Sequence, residues 1–504
     1  MKTKMWKEMN LQVHSVKFNA MMNMVLTVSN MFIGIITIPY VTRVLSVEGY
    51  GNVSFAQNLS TWLSTICLVG IPAYGVRECA KVRDDQRALA SLVRELLIFI
   101  TIFTIIVLSI FAICICTIPR FKELAPLMWM FLVSTLLQSY GVEWYYQAIE
   151  QYQYITIRSV VFKLASLISI FLFVRHTDDW LIYGAIFAFM VCGNNVLNLL
   201  RLFRTLHFCQ LAPICLRHHI KPLCSFAVMT VASSTYIAFD SVLLGMLNDS
   251  NVQVAFYQLA AKLKNICWQI VNAIVGVLIP RLAYYVKKEP GKYRILLKRG
   301  YDFTLNICLG IMFFLLIYAQ PIVVIFSSSK YLDASLPVRI IGVVNFCSCM
   351  SYFFGLCILT PLGRENKYAT ANLIGVPISF ILNILLDNRF GAVGASIAIL
   401  IAEGVIFIRQ IEDSRDILTS IVSLKDTLRA LISHIVAFTV AFIILILLPY
   451  SGVNGYTAGG AFIVLVSGFA GYILTWLIIA LLLHEDTAYW IFDTLSCVIR
   501  KLKR

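Results

Sequence analysis

Three lysines stand inside apolar runs of this sequence, Lys163, Lys262 and Lys264, and three carboxylates, Glu143, Asp240 and Glu403, lie within such runs or near their ends. A charge at the centre of a bilayer costs about 2.5–3.5 kcal/mol, so each group should face a partner or a wet cavity. Cations held this way suit an anionic ligand such as a charged lipid headgroup. Lys163 falls about eight residues, or roughly 12 Å, inside its run, where it lines a cavity, pairs with Glu143 or snorkels to the interface. Lys262 and Lys264 are about 200° apart on a helix and cannot face one cavity. Gln258 shares the Lys262 face, which favours Lys262 as the residue turned to a lumen.

Asp240 and Lys262 have similar expected depth. They form either a buried ion pair that fixes packing, or a site where Lys262 meets an anionic substrate while Asp240 senses a coupling cation. Glu143 and Glu403 read as capping or paired carboxylates before they read as cation sites. Arg158 and Arg77 lie nearer the expected interface, where each is a topology charge or a further cation for the same anion, and Glu150 reads as a loop residue. Gln57, Gln258, Trp144, Tyr145 and Tyr146 are polar or aromatic groups on or beside these runs, and the resemblance described below implies that they contact sugars. Catalytic patterns are scarce: neither a phosphate-cradling glycine loop with its lysine nor a metal-binding histidine pair occurs, so no enzyme activity and no cofactor are expected. The stretch RHHIK at 217–221 reads as a basic surface run, and the 14 cysteines as reduced packing residues.

The elements that must position these groups follow from composition. With 60% hydrophobic and 13% charged residues over 504 positions, the chain is a polytopic all-α membrane protein. Runs of roughly 20 apolar residues cross the hydrocarbon, and about fourteen can be counted, from 18–41 to 459–483, including one at 222–247. The fused runs 125–174 and 336–386 are split at their polar centres. With the amino terminus inside, 31 of the 41 Lys and Arg fall in cytoplasmic segments, 7 in outer loops and 3 within spans. That bias places both termini in the cytoplasm. The net charge of +15 is then topology signal and attraction to anionic lipid, with no nucleic-acid partner.

An internal repeat is legible. GNVSFAQ at 51–57 answers SNVQVAFYQ at 250–258, Pro72 answers Pro280, and Tyr154 in IEQYQYIT answers Tyr368 in GRENKYAT, at offsets of about 200 to 215. Six spans per repeat return the chain to the same side, so the expected architecture is two pseudo-twofold-related six-helix lobes, 16–205 and 220–412, flanking a cleft. The basic stretch 201–221 would link them, and 430–504 would add two further transmembrane helices and a cytoplasmic tail.

The stretches RVLSVEGYGNVSFAQNL, GIPAYGVRECAKVRDD, GVEWYYQAIEQYQYITIRSVVFKLASLISIFLF and LGRENKYATANLIGVPISFILNILL, with GAVGASIAILIAE, resemble those of bacterial polysaccharide flippases. These belong to the multidrug/oligosaccharidyl-lipid/polysaccharide exporter superfamily, and the likeness covers about residues 15–412. Ala148 stands where a glycine is expected in relatives. The resemblance implies a V-shaped cavity with cationic residues and transport of undecaprenyl-diphosphate-linked oligosaccharide across the bacterial inner membrane. A proton or sodium ion would be the coupling ion, and the glycan polymerase and chain-length regulator of the same pathway would be partners beside membrane lipids. The rival functions are a drug or metabolite cation antiporter of the same superfamily, which would want an acidic cavity, and a membrane glycan polymerase or ligase, whose large outer loop is missing here.

Overall fold

The computed structural model describes residues 15–206, 208, 213–448, 457–485 and 487–489, without the side chains of 16, 17, 225, 228, 229 and 231–238. Every regular element among them is helical, and the chain divides into two compact units, Met1–Val242 and Leu243–Arg504. Among the described residues twelve helices are long and apolar enough to cross a membrane, and a bent pair, Val47–Leu68 with Ile71–Lys81, makes a thirteenth if it is one span. The span expected at 222–247 falls on a helix, Arg217–Leu247, whose side chains are only partly described. The division between units falls inside that helix rather than in the basic stretch 201–221.

In the first unit α1 (Val16–Val44) packs along α8 (Tyr152–Phe173), and α2 (Val47–Leu68) along α6 (Ala125–Ser139). The short α3 (Ile71–Lys81) rests on α7 (Glu143–Ala148), while α4 (Gln86–Thr117) covers α2 and α6 beyond a five-residue α5 (Pro119–Glu123). The long α9 (Trp180–Thr205) closes on α6 and α8, and α10 (Arg217–Leu247) leads out of the unit. Local sequence fixes where several of these start. Ser46 accepts the Gly49 amide at 3.1 Å, and Asp85 accepts those of Arg87 and Ala88 at 2.9 and 3.1 Å, satisfying amide groups a helix start leaves without partners.

Two breaks matter most. Between α2 and α3 the chain bends by 43° through Val69 and Gly70, both left-handed at φ 47° and 72°. A Cβ on Gly70 would also lie 2.5 Å from the Phe226 backbone of α10, so only glycine fits. Between α6 and α7 the span unwinds at Gly141 and Val142, with Val142 left-handed at φ 40°.

The second unit comprises α11 (Val252–Lys288), α12 (Pro290–Phe326), α13 (Ser335–Phe353), α14 (Glu365–Phe390), α15 (Ala392–Asp413), the short α16 (Arg415–Ile421), α17 (Leu424–Leu447) and α18 (Ala458–Leu482). The pairs α14/α15, α12/α13 and α17/α18 pack most extensively, and α12 also carries α17 and α18. The expected repeat has a local counterpart. Ile149, Glu150 and Gln151 donate amides to Tyr145, Gln147 and Tyr146, and Leu362, Gly363 and Arg364 donate to Ile358, Thr360 and Leu359. The same turn thus recurs 213 residues later, one fewer than the Tyr154/Tyr368 match suggests. Its left-handed residue is Gly363 in one copy and Glu150 in the other.

The last two spans are fastened by polar groups. The Asn306 amide donates to Glu485 at 2.6 Å while its oxygen lies 3.1 Å from His434 Nε2, and Tyr472 lies 2.7 Å from His434 Nδ1. All four side chains are buried, joining α12, α17, α18 and the segment after it. Asn306→Leu would strand two buried partners at about 1–3 kcal/mol each. Thermal unfolding in detergent should show a loss of about 2–4 kcal/mol in all; an unchanged midpoint would mean this network does not hold the helices.

Candidate functional site

The first unit contains a cavity of about 400 Å³ where the unwound stretch 140–142 meets α3, α8 and α9. Backbone that leaves a helix at membrane depth must find other partners or line a wet space. Here it does both. The Gly141 carbonyl accepts the side chain of Asn198, fully buried on α9, at 2.5 Å, and Gly141 and Val142 themselves form part of the wall. The remaining wall is rich in amides, Gln138, Gln147, Asn194 and Asn195, with Trp144 at one side. Trp144 is held there by α3: a Cβ on Gly75 would lie 2.6 Å from its ring.

One cation lines this recess and a second is bonded to two residues of its wall. Lys163 lines it and donates to Asn30 of α1. Arg158, one to two turns earlier on α8, is buried, with 5% of its surface exposed. Its Nε donates to Asn194 at 2.5 Å and its Nη2 to Glu143 at 3.4 Å, its guanidinium lies 5.2 Å from the centre of the Tyr154 ring, and Nη1 has no hydrogen-bond partner. Arg158 is therefore enclosed by the protein rather than exposed on its surface. Glu143, on the cavity wall, receives Arg158 and, at 3.4 Å, Gln147; its pairing is with Arg158 rather than with Lys163. The wall thus presents one ammonium and a group of amides, with a guanidinium held behind it by Glu143 and Asn194.

Other nominated residues lie elsewhere. Tyr145 and Tyr146 turn into the apolar core with Ile71, Leu202 and Leu206, and the Tyr146 hydroxyl donates to the Asn198 carbonyl at 2.7 Å; neither lines the cavity. Arg77 is exposed at the end of α3, bonded to Glu78 at 2.8 Å and lying over the rings of Tyr74 and Phe226 at 5.6 and 5.1 Å. Gln57 is half-buried on α2, outside the cavity wall. Glu150 is more than a loop residue: left-handed at φ 58°, it clasps Arg83 at 2.6 Å and Asn19 at 3.3 Å. Asp240 is buried in the first unit; Lys262 and Gln258 are half-buried on α11 of the second. Glu403 of α15 pairs with Lys264 of α11 at 3.2 Å, so the face opposite Lys262 also carries an anchored charge.

Sequence reasoning missed two groups. Asn194 and Asn195, whose i and i+1 positions give no periodic signal, complete the cavity. His219, read as surface, is buried between Glu95 and Tyr74 at 2.8 and 2.7 Å. The available signal was Glu95 itself, a lone acid at the head of an apolar run.

Comparison with known proteins gives this arrangement a context. A solved "Lipid II flippase MurJ, inward closed conformation" superposes with a TM-score of 0.69 at 12% identity, covering 92% of this chain and 100% of that one. An inward-facing multidrug resistance MATE family transporter of the MOP superfamily gives 0.58 at 12% identity, covering 78% and 96%. At that identity the likeness shows the fold. A "Putative O-antigen transporter" of Escherichia coli (strain K12) is 22% identical over 400 residues, 78% of this chain and 95% of the relative. Its namesake in Shigella dysenteriae is 23% identical over 388 residues, 75% and 94%. The family model described as "Polysaccharide biosynthesis protein" matches residues 16–286, more than half of the chain. This multi-pass membrane protein, built on a transporter fold, belongs to the polysaccharide biosynthesis protein family.

Proposed function

We propose that this protein is a flippase that moves an undecaprenyl-diphosphate-linked oligosaccharide from the cytoplasmic to the outer leaflet of a bacterial inner membrane, by alternating access coupled to a cation gradient. The observation that carries the reading is the amide-lined cavity of the first unit with Lys163 on its wall and Arg158 buried behind it. Family membership and the two O-antigen transporter relatives support the same substrate class. A volume of about 400 Å³ lies in the range of small-molecule sites, roughly 300–1,000 Å³, and suits a headgroup fragment rather than a whole glycan. The polyprenyl chain stays in lipid.

The chemistry divides by residue. Lys163 meets the diphosphate on the cavity wall, and Arg158 adds its charge from behind Glu143 and Asn194; the amide groups and the Trp144 ring receive sugar. Glu143 competes with the anion for Arg158, so binding need not be so tight as to trap the substrate. Coupling falls to a carboxylate whose partner changes between states. Glu143 and Glu403 already hold basic partners that a proton or sodium ion would replace, and Asp240 is buried close to the end of α10. Both termini are assigned to the cytoplasm on the Lys/Arg bias.

Lys163→Ala removes a half-buried cation with one neutral partner, a change expected to cost about 1 kcal/mol or less in stability. Surface glycan should nonetheless fall by about tenfold or more, the loss of one anion contact, and Lys163→Arg should restore part of it. Deletion of the gene should leave complete lipid-linked repeat units in the inner leaflet, read by lipid extraction and mass spectrometry. Unlinked glycan or a shortened repeat unit in that extract would point to an earlier or enzymatic step instead.

A further inference from the structure

The buried cluster around His219 has no role in the cavity chemistry, yet its geometry is complete. Glu95 of α4 lies 2.8 Å from His219 Nε2 and also accepts the Cys215 amide at 2.8 Å; Tyr74 of α3 lies 2.7 Å from Nδ1. Tyr74, Glu95 and His219 are 2%, 8% and 5% exposed. A carboxylate only accepts, so Nε2 carries the hydrogen, and in the neutral ring Nδ1 then accepts from the Tyr74 hydroxyl. With Glu95 ionised and the ring neutral, Tyr74 donates to His219, and His219 donates to Glu95.

The helix that carries Tyr74 is also a wall of the cavity. Pro72 of α3 lines the recess, and Gly75, next to Tyr74, supports the Trp144 ring. The helix is the short arm of a bent span with two left-handed residues at its hinge. Its remaining fastening on this side is the Tyr74 hydroxyl, with Phe226 packed against the Tyr74 ring and Arg77 lying over both.

We propose that the Glu95–His219–Tyr74 cluster is a proton-binding site whose occupancy sets the position of α3 and, through it, of the cavity wall. A proton added to the Nδ1 lone pair makes both ring nitrogens donors. The His219–Glu95 contact becomes an ion pair and holds. The Tyr74 bond must reverse: the phenol oxygen accepts, and its hydrogen turns to a new acceptor, Glu78 of the same helix or water. The reversed bond is charge-assisted, but the buried Tyr74 hydroxyl must place its own hydrogen outside the cluster, which favours movement of α3 while the segment carrying Cys215 and His219 stays tied to α4. When α3 lifts, the neutral ring loses the Tyr74 hydroxyl that stabilises its Nδ1 lone pair, so proton affinity differs between the two positions of α3. That difference is the condition for coupling.

Charged and titratable groups surround the ring from three segments, including His218, whose ring lies 5.5 Å from that of His219. On α3 these are Tyr74, the Arg77–Glu78–Lys81 group, paired internally, and the buried thiol of Cys79. On α4 they are Glu95 and its neighbour Arg94, with the Phe99 ring edge-on to His219. On its own segment they are Cys215, Arg217, His218 and Lys221. Glu95 is the acid in hydrogen-bond contact with the ring.

The site draws its purpose from the flippase reading, but its existence is measurable without substrate. Full-length protein in lipid nanodiscs is compared by hydrogen exchange, corrected for intrinsic rates, at about pH 7.5 and about pH 5.5, either side of the ordinary histidine range. Peptides spanning 71–81 should lose protection by about tenfold at the lower pH, as local opening becomes easier, while those spanning 213–222 hold. His219→Gln, which can still accept from Tyr74 and donate to Glu95, should be folded and should abolish the dependence. Tyr74→Phe should leave the 71–81 peptide open at both pH values. Equal protection of 71–81 in the wild type at both pH values, or a pH dependence that survives in His219→Gln, would overturn the proposal. Glycan display by His219→Gln cells should fall several-fold; wild-type display beside an abolished exchange switch would overturn the coupling role while leaving the flippase reading intact.

Discussion

A guanidinium kept out of water inside a membrane protein constrains everything around it. Arg158 is buried on a helix that faces hydrocarbon along much of its length, since Ile157, Val161, Leu164 and Ile168 are all exposed. Its charge is tolerable only with partners at hand, and the first unit supplies them from three places: Glu143 from the start of α7, Asn194 from α9 and the Tyr154 ring from its own helix. Glu143 can reach it because the span breaks at Gly141 and Val142. The break in turn exposes backbone, which Asn198 satisfies on one side and the cavity accommodates on the other. Guanidinium, broken helix and cavity form one unit of cause and effect.

Such a pair is a poor source of stability, because desolvating two charges offsets most of their attraction. Glu143 is less costly to hold than Arg158, since its side chain remains 41% exposed against 3%. The asymmetry favours exchange: a carboxylate near water can be displaced by an incoming anion, while the arginine stays where it is. Lys264 and Glu403 in the second unit are both more deeply enclosed, at 16% and 8%, which suits a fixed anchor between α11 and α15. Buried histidines recur in both units as junctions between helices. His434 is reached through Asn306, and His219 contacts its acid directly.

Much of the fold was legible because membrane insertion leaves a coarse signal. Long apolar runs must be helices, and the expected spans match the observed ones to within a few residues at most ends. The site was legible only in part. Lys163, Glu143 and Trp144 were found because a charge or a polar aromatic inside such a run stands out, and they do meet at one cavity. Tyr145 and Tyr146 lie in the core because consecutive residues of α7 point about 100° apart, so the face that brings Trp144 to the cavity turns the two tyrosines away from it. His219 was taken for surface since its neighbours are basic, while its acid lies 124 residues away in sequence. Glu150 looked ordinary because nothing in its type announces a left-handed backbone.

The central claim is that the cavity beside Lys163 receives the charged headgroup of a lipid-linked glycan. Site-specific photocrosslinking in living cells tests it most directly, with a photoreactive residue placed at Phe162 on the cavity wall, at Val161 on the exposed face of α8, and at Tyr145 in the core. The account predicts a glycan-bearing diphosphate adduct from position 162 and none from 145 or 161. An adduct from 161 alone, or equal yields from all three, would contradict it.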